Sequence, residues 1–211
     1  DVVREWGYVA EYFPYHAHTD ETADAWNAAL RARLEEAIAF YDARCVVFDG
    51  NVPYQGLNAC RRAHPDRAFV WIRRGLWRAE AGRAAIERSR HFDLVIEPGE
   101  LAASLDVGAT AGRRYETVQV PPVLLLDSEE LLDRDAARAE LGLDPGRTAV
   151  LVQLGSRNNF DYAAIDRALL DELGGRPDVE LVHVDWLIGE AEPDLPPRVR
   201  RLRTFPVTRY L

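Results

Sequence analysis

Apolar residues fall in two rhythms along this chain. Short continuous runs end at turn residues, and longer stretches repeat every three or four positions. "YVAEYF" (8–13) reads as a short strand stopped by Pro14. The stretch that follows reads as a helix, with Thr19 or Asp20 as its cap and Glu21 and Asp24 in its acidic first turn. Its apolar face is Trp26, Leu30, Leu34, Ile38 and Tyr41. "CVVF" (45–48) is an unbroken apolar run before Asp49-Gly50, as expected of a parallel strand buried on both faces, with Cys45 a small buried hydrophobe. Pro53 then sits at the start of a helix carrying Leu57 and Cys60. "AFVWI" (68–72) is the next strand and ends in Arg73-Arg74-Gly75. Residues 80–90 read as a helix. "DLVIE" (93–97) and "ETVQV" (116–120) are strands stopped by Pro98-Gly99 and Pro121-Pro122.

The alternation resumes beyond those prolines. Residues 134–141 read as a helix capped by Asp133, with Gly142 just past its end. "AVLVQL" (149–154) is a strand. Residues 160–173 read as a helix with Ile165, Leu169 and Leu173 on one face. "VELVHV" (179–184) and a short segment at 199–202 are strands. Strands alternating with helices define an α/β fold with parallel sheets. The break in rhythm at 120–127 divides it into two Rossmann-like domains, 1–124 and 125–211, both expected to be incomplete.

Composition narrows the picture. Hydrophobic residues make up 47% and charged residues 29% of the 211 positions, the profile of a soluble globular protein. A net charge of −9 argues against a protein that coats nucleic acid, which needs a basic surface. It leaves room for a small anionic ligand. No apolar run approaches the roughly 18 residues of a membrane span. The acidic start "DVVREWGYVAEYF" has no basic region of a signal peptide. Two cysteines are too few for a disulfide framework, so the cytoplasm is the expected compartment. All 26 basic residues are arginine, which leaves no lysine chemistry within these positions. There is no methionine and the chain begins at Asp1, so a longer protein is expected.

Ligands of open parallel sheets bind beyond the carboxyl ends of the strands. Gly155-Ser156 lies at one such end. Its glycine lets backbone approach a ligand, its serine can donate to a phosphate oxygen, and the following helix start favours an anion. A plain strand-end turn is the competing reading, with Asn158 and Asn159 as helix caps. Asp49-Gly50-Asn51 could bind a hydroxyl or supply a base, or be a simple turn. Arg73, Arg74 and Arg78 lie around Gly75 and two tryptophans, Trp71 and Trp77. Arginine forks fit phosphate and carboxylate, and the competing reading pairs them with the chain's many acids. His16 and His18 form a His-x-His pair, but nothing near them completes a metal site. His183, inside a strand, reads as a hydrogen-bonded core histidine.

Taken in order, "VVFDGNVPYQGL", "FVWIRRGLWR", "FDLVIEPGELA", "VPPVLLLD", "AARAELGLDPGRTAVLVQLGS" and "VRRLRTFPVTRYL" resemble bacterial GT-B-type glycosyltransferases. In particular they resemble the UDP-N-acetylglucosaminyltransferases, which include the enzyme that completes lipid II. The resemblance covers nearly the whole chain and rests on segment order. It implies an N-terminal acceptor domain and a C-terminal nucleotide-sugar domain. It places Gly155 and Ser156 at the donor diphosphate and Thr204, Phe205 and Pro206 near the base. Asp49, Gly50, Asn51, Arg73 and Arg74 fall on the acceptor side.

The family's first glycine-rich loop and its later acidic helix have no counterpart within these residues. No catalytic base is therefore assigned. Asp49 is a candidate, with His16 and His18 behind it. The implied reaction is metal-free transfer with inversion, from a nucleotide-sugar, UDP-sugar favoured, to a hydroxyl of a small-molecule, glycan or lipid-linked acceptor, with no cofactor. Trp71, Trp77 and their arginines offer a route to peripheral membrane contact with a lipid acceptor. Two other functions compete: a UDP-sugar 2-epimerase of the same fold, and a non-catalytic module that works with a partner chain. The oligomeric state is left open.

Overall fold

A computed structural model describes residues 2–80, 82–154, 161–185 and 195–210. The chain divides into two compact units, Asp1–Val123 and Leu124–Leu211. Each is α/β and each holds one Rossmann-like parallel sheet.

The first unit opens with a short helix α1 (Val2–Glu5) and then α2 (Ala23–Tyr41). Strand β1 (Cys45–Asp49), helix α3 (Gln55–Ala63) and strand β2 (Ala68–Ile72) follow. After α4 (Arg83–Ile86) come β3 (Leu94–Pro98) and β4 (Val118–Val120). The sheet order is β1-β2-β3-β4, parallel throughout. Its core gathers Ile38, Leu57, Cys60 and Phe69, with Leu34, Val46, Phe48 and Phe92 packed around them.

Several elements depart from the sequence pattern, each for a local reason. Residues 8–13 form no strand, and Tyr8, Val9 and Tyr12 are exposed. A strand needs a neighbouring strand to pair its backbone, and none lies beside this segment among the described residues. It is held instead by Trp26, whose Nε1 donates to the Pro14 carbonyl at 2.6 Å. Helix α2 is capped by Thr22 rather than Thr19 or Asp20, the Thr22 hydroxyl accepting from the Ala25 N–H at 3.2 Å. Tyr41 lies beyond the buried stripe and is exposed.

Strand β1 is not buried on both faces. It is the edge strand of this sheet, so Cys45 and Val47 are exposed while Val46 and Phe48 turn inward. The polar stretch 80–90 forms only one α-helical turn. Gly82, at φ +80°, starts it, and a 3₁₀ turn (Glu87–His91) ends it. A Cβ on Gly82 would also stand 2.2 Å from the Trp77 ring.

The second unit holds α5 (Arg134–Glu140), β5 (Thr148–Val152), α6 (Ala163–Gly174), β6 (Val179–Val184) and β7 (Arg200–Leu202). The strands lie in the order β5-β6-β7, again parallel. Asp133 caps α5 by accepting from Ala136 N–H at 2.8 Å, and Gly142 follows at φ +64°. Val152, Leu181 and Val199 form the core with Leu169 and Leu173 of α6. Ile165 does not join them. It is 54% exposed, and Asp166 takes the buried place on that stripe. The spacing Asp166, Leu169, Leu173 is the face that meets the sheet.

Two interactions in the first unit make checkable predictions. Gly56 of α3 lies against α2: its N–H donates to Asn27 Oδ1 at 2.8 Å, and an added Cβ would come within 2.3 Å of the Asn27 carbonyl oxygen. Gly56→Ala should therefore cost about 1–3 kcal/mol by overpacking, read from a denaturant midpoint. Asp93 accepts from Phe69 N–H at 2.8 Å and from Arg61 at 2.7 Å. These bonds, the Phe69 N–H foremost, hold its carboxyl below the usual carboxylate range. A depressed folded pKa stabilises the fold above the unfolded value of about 3.9 and is lost as pH falls through the folded one. Asp93→Asn should lower the urea midpoint at neutral pH, and the gap to the parent protein should close in acid.

Candidate functional site

The carboxyl ends of the first sheet are brought level by register. Asp49 pairs with Ile72, Ile72 with Ile96, and Pro98 with Val120. Gly99 N–H donates to Val120 O at 2.7 Å and pins the turn after β3 to the end of β4. Beyond these ends lies an open cleft of about 480 Å³. Its lining includes Asp49, Arg74, Gly75, Gly99 and Glu100, with Pro122 and Val123 from the segment after β4.

Two consecutive arginines at the end of β2 have opposite fates, because successive residues of extended chain point to opposite faces. Phe69, Trp71 and Arg73 share one face and all are 0% exposed. Arg74 faces out beside Asp49, its Nη2 3.4 Å from Asp49 Oδ1. Both of those side chains are more than half exposed. A pair so exposed contributes about 0–1 kcal/mol, so either partner can exchange the other for a ligand at little cost.

Arg73 can be buried because β3 follows the same parity. Val95 and Glu97 are its buried positions, which sets Glu97 beside Arg73. Arg73 Nη2 donates to Glu97 Oε2 at 2.8 Å and to the Arg113 carbonyl at 3.2 Å. Arg114 bridges Glu97 at 3.0 Å and Asp106 at 3.1 Å. Asp106 also accepts from the Gly108 N–H and the Thr110 hydroxyl. The result is two cations and two anions packed under Gly75, whose Cα faces Asp106 and Glu97. Among the described residues, Arg73 Nη1 has no hydrogen bond.

The remaining first-unit candidates separate. Gly50 accepts at its carbonyl from Trp71 Nε1 at 2.8 Å, which ties the turn after β1 to the sheet. Asn51 follows it, exposed. His16 packs against Tyr15, with ring centroids 4.1 Å apart and the rings tilted by 49°, and its ring lies 5.9 Å from that of Trp26. It belongs to an aromatic cluster that continues through Tyr54 to Phe48. His18 is exposed in a 3₁₀ turn. Arg73 and Trp71 do not reach solvent. The expected peripheral membrane contact through Trp71 is therefore corrected: the ring is core. No helix among the described residues is long and apolar enough to cross a membrane.

In the second unit, Gly155 and Ser156 lie outside the described residues, as do Asn158 and Asn159. Thr204, Phe205 and Pro206 follow β7, with Thr204 half-buried and Phe205 exposed. The end of β6 carries a buried polar cluster. His183 Nε2 lies 3.0 Å from Asp166 Oδ1. His183 Nδ1 faces Asp185 Oδ1 at 3.6 Å, and Asp185 Oδ2 faces Arg201 at 3.4 Å. His183 is thus a core histidine held by an acid from α6.

Sequence reasoning missed Glu97, Asp106 and Arg114 as one network, and Asp166 and Asp185 as partners of His183. A signal for the first was available: an acid two residues past a buried valine falls on the buried face.

Neither a family model nor a curated protein matches this sequence. Solved structures do match in fold. One is a Listeria monocytogenes protein provisionally named a UDP-N-acetylglucosamine 2-epimerase, at 15% identity and a TM-score of 0.47, covering 89% of this chain and 53% of that one. Another is a Staphylococcus aureus MnaA–UDP co-structure, at 16% identity and a TM-score of 0.50, covering 86% and 50%. The chain spans about half the length of each. At this identity the likeness is one of fold: α/β, with two Rossmann-like parallel sheets of the GT-B type.

The two arginines predict opposite phenotypes. Glu97→Gln leaves the buried Arg73 charge without its counter-ion and should cost about 3–5 kcal/mol. Arg74→Ala should change stability by no more than about 0.5 kcal/mol. Urea unfolding of both variants measures the difference.

Proposed function

We propose that this protein acts on a UDP-sugar. The observation that supports this reading is the fold likeness, across 86% of the chain, to a structure that contains UDP. Strand ends that open into a cleft, with a weakly paired arginine at its edge, agree with it.

Two reactions fit such a ligand. Inversion at C2 of the sugar requires the UDP-sugar alone. Glycosyl transfer requires an acceptor as well, and a UDP-bound relative supports only the nucleotide-sugar. Epimerisation therefore stands at least level with the transfer suggested by the order of segments. In either case backbone N–H groups and a helix start at the end of β5 would meet the diphosphate, with Gly155 and Ser156 as the residues proposed for that contact. Thr204, Phe205 and Pro206 are proposed for the nucleotide base side. In the transfer reading Asp49 takes the acceptor proton, and Arg74 orients that carboxylate or an acceptor anion.

One experiment separates the readings. The natural full-length protein is incubated with UDP-N-acetylglucosamine in D₂O and followed by proton NMR. Epimerisation gives a second UDP-sugar and exchanges the C2 proton for deuterium, without an acceptor and without net loss of UDP-sugar. Transfer leaves C2 unlabelled and releases UDP only once a hydroxyl acceptor is added. If neither UDP nor any UDP-sugar binds, the proposal fails.

A further inference from the structure

Helices α2 and α3 lie side by side, in contact near their starts through Asn27 and Gly56. Farther along the same seam, α2 presents Glu35, α3 presents Cys60, and His64 follows as the residue that caps the end of α3. A Glu35 carboxylate oxygen, Cys60 Sγ and a His64 ring nitrogen all lie within 4.8 Å of one another. Cys60 is fully buried, and Glu35 and His64 are half-buried.

We propose that Glu35, Cys60 and His64 form a binding site for one divalent transition-metal ion of the zinc type. The donor set points there. Thiolate and imidazole select zinc-like ions over magnesium or calcium, and a carboxylate is a further zinc ligand, which leaves the fourth position to water. The spacing needs only small adjustment. Zinc bonds of about 2.0–2.3 Å put ligand atoms roughly 3.3–3.8 Å apart, so closing the trio asks for movements of about an ångström. Glu35 can supply much of this through its side-chain torsions.

The surroundings suit a metal ligand too. Arg31 Nε donates to Glu35 Oε1 at 2.7 Å, which orients the carboxylate and leaves its other oxygen free to ligate. The two half-buried ligands provide the entry path, and the buried thiol forms the dry wall.

This site is remote from the cleft. Helix α3 starts beyond the carboxyl end of β1 and runs back toward the start of β2, so His64 lies at the amino ends of the strands. The ion would therefore staple α2 to α3 and take no part in chemistry at the strand ends. The inference is independent of the UDP-sugar reading.

Cobalt(II) is the probe. Titrated into the reduced full-length protein, it should give a near-ultraviolet thiolate-to-cobalt charge-transfer band with the visible bands of a tetrahedral ion, saturating at one equivalent and displaced by zinc. Cys60→Ser should abolish the near-ultraviolet band, and Cys45→Ser, at an exposed position, should keep it. His64→Ala and Glu35→Gln alter half-buried side chains and should fold. Each should weaken cobalt binding by at least about tenfold. Zinc should raise the Tm of the parent protein and leave that of His64→Ala unchanged. Absence of the charge-transfer band in the parent protein overturns the proposal, as does a band lost with Cys45 rather than Cys60, or an equal rise in Tm in His64→Ala.

Discussion

The buried pairing of Arg73 with Glu97 is the constraint on which the first unit's strand ends depend. Two adjacent parallel strands each place a charged residue on the buried face, one step past the hydrophobic core. Neither charge could stay there alone, since an unpaired ion in that position would lose its water without compensation. Arg114 and Asp106 extend the pair into a neutral network, and the loop residues 106–114 are drawn in to complete it. The surface consequence is Arg74. With its neighbour committed inward, the next residue along the extended chain faces the cleft beside Asp49.

The second unit treats its strand ends similarly, with different residues. Asp185 closes β6 on the buried side, between His183 and Arg201, and α6 brings Asp166 down onto His183. Both units thus place buried acids at or near the carboxyl edges of their parallel strands. Such edges can bear the polar groups that a ligand needs while the strand centres stay apolar. In the first unit this arrangement leaves Arg74 with only a weak surface partner, exposed at the edge of the cleft.

Much of the framework was legible in the residues. The strand at 68–72, the caps at Asp133 and Gly142, and the helix bearing Leu57 and Cys60 follow from apolar runs, polar caps and turn residues. The errors share a cause. Residues 8–13 are rich in strand-forming residues but have no strand beside them among the described residues. "CVVF" is apolar enough for burial on both faces but lies at a sheet edge. Ile165 fits the buried stripe by hydrophobicity, although the stripe contains Asp166. In each case the local pattern lacks the neighbour that decides burial.

The candidate site divides in the same way. By itself the sequence determined which residues stand at strand ends: Asp49-Gly50, Arg73-Arg74-Gly75, Glu97-Pro98 and Asp185. Apolar runs stop where turn residues begin, and that is a local property of the chain. Only the tertiary structure decided that Arg73 is buried and Arg74 is not, that Glu97 answers Arg73, and that His183 rests on an acid from α6. Those outcomes depend on parity and register between strands far apart in sequence. A one-residue shift of β2 would exchange the buried arginine for the exposed one, and the same shift of β3 would take Glu97 off the buried face.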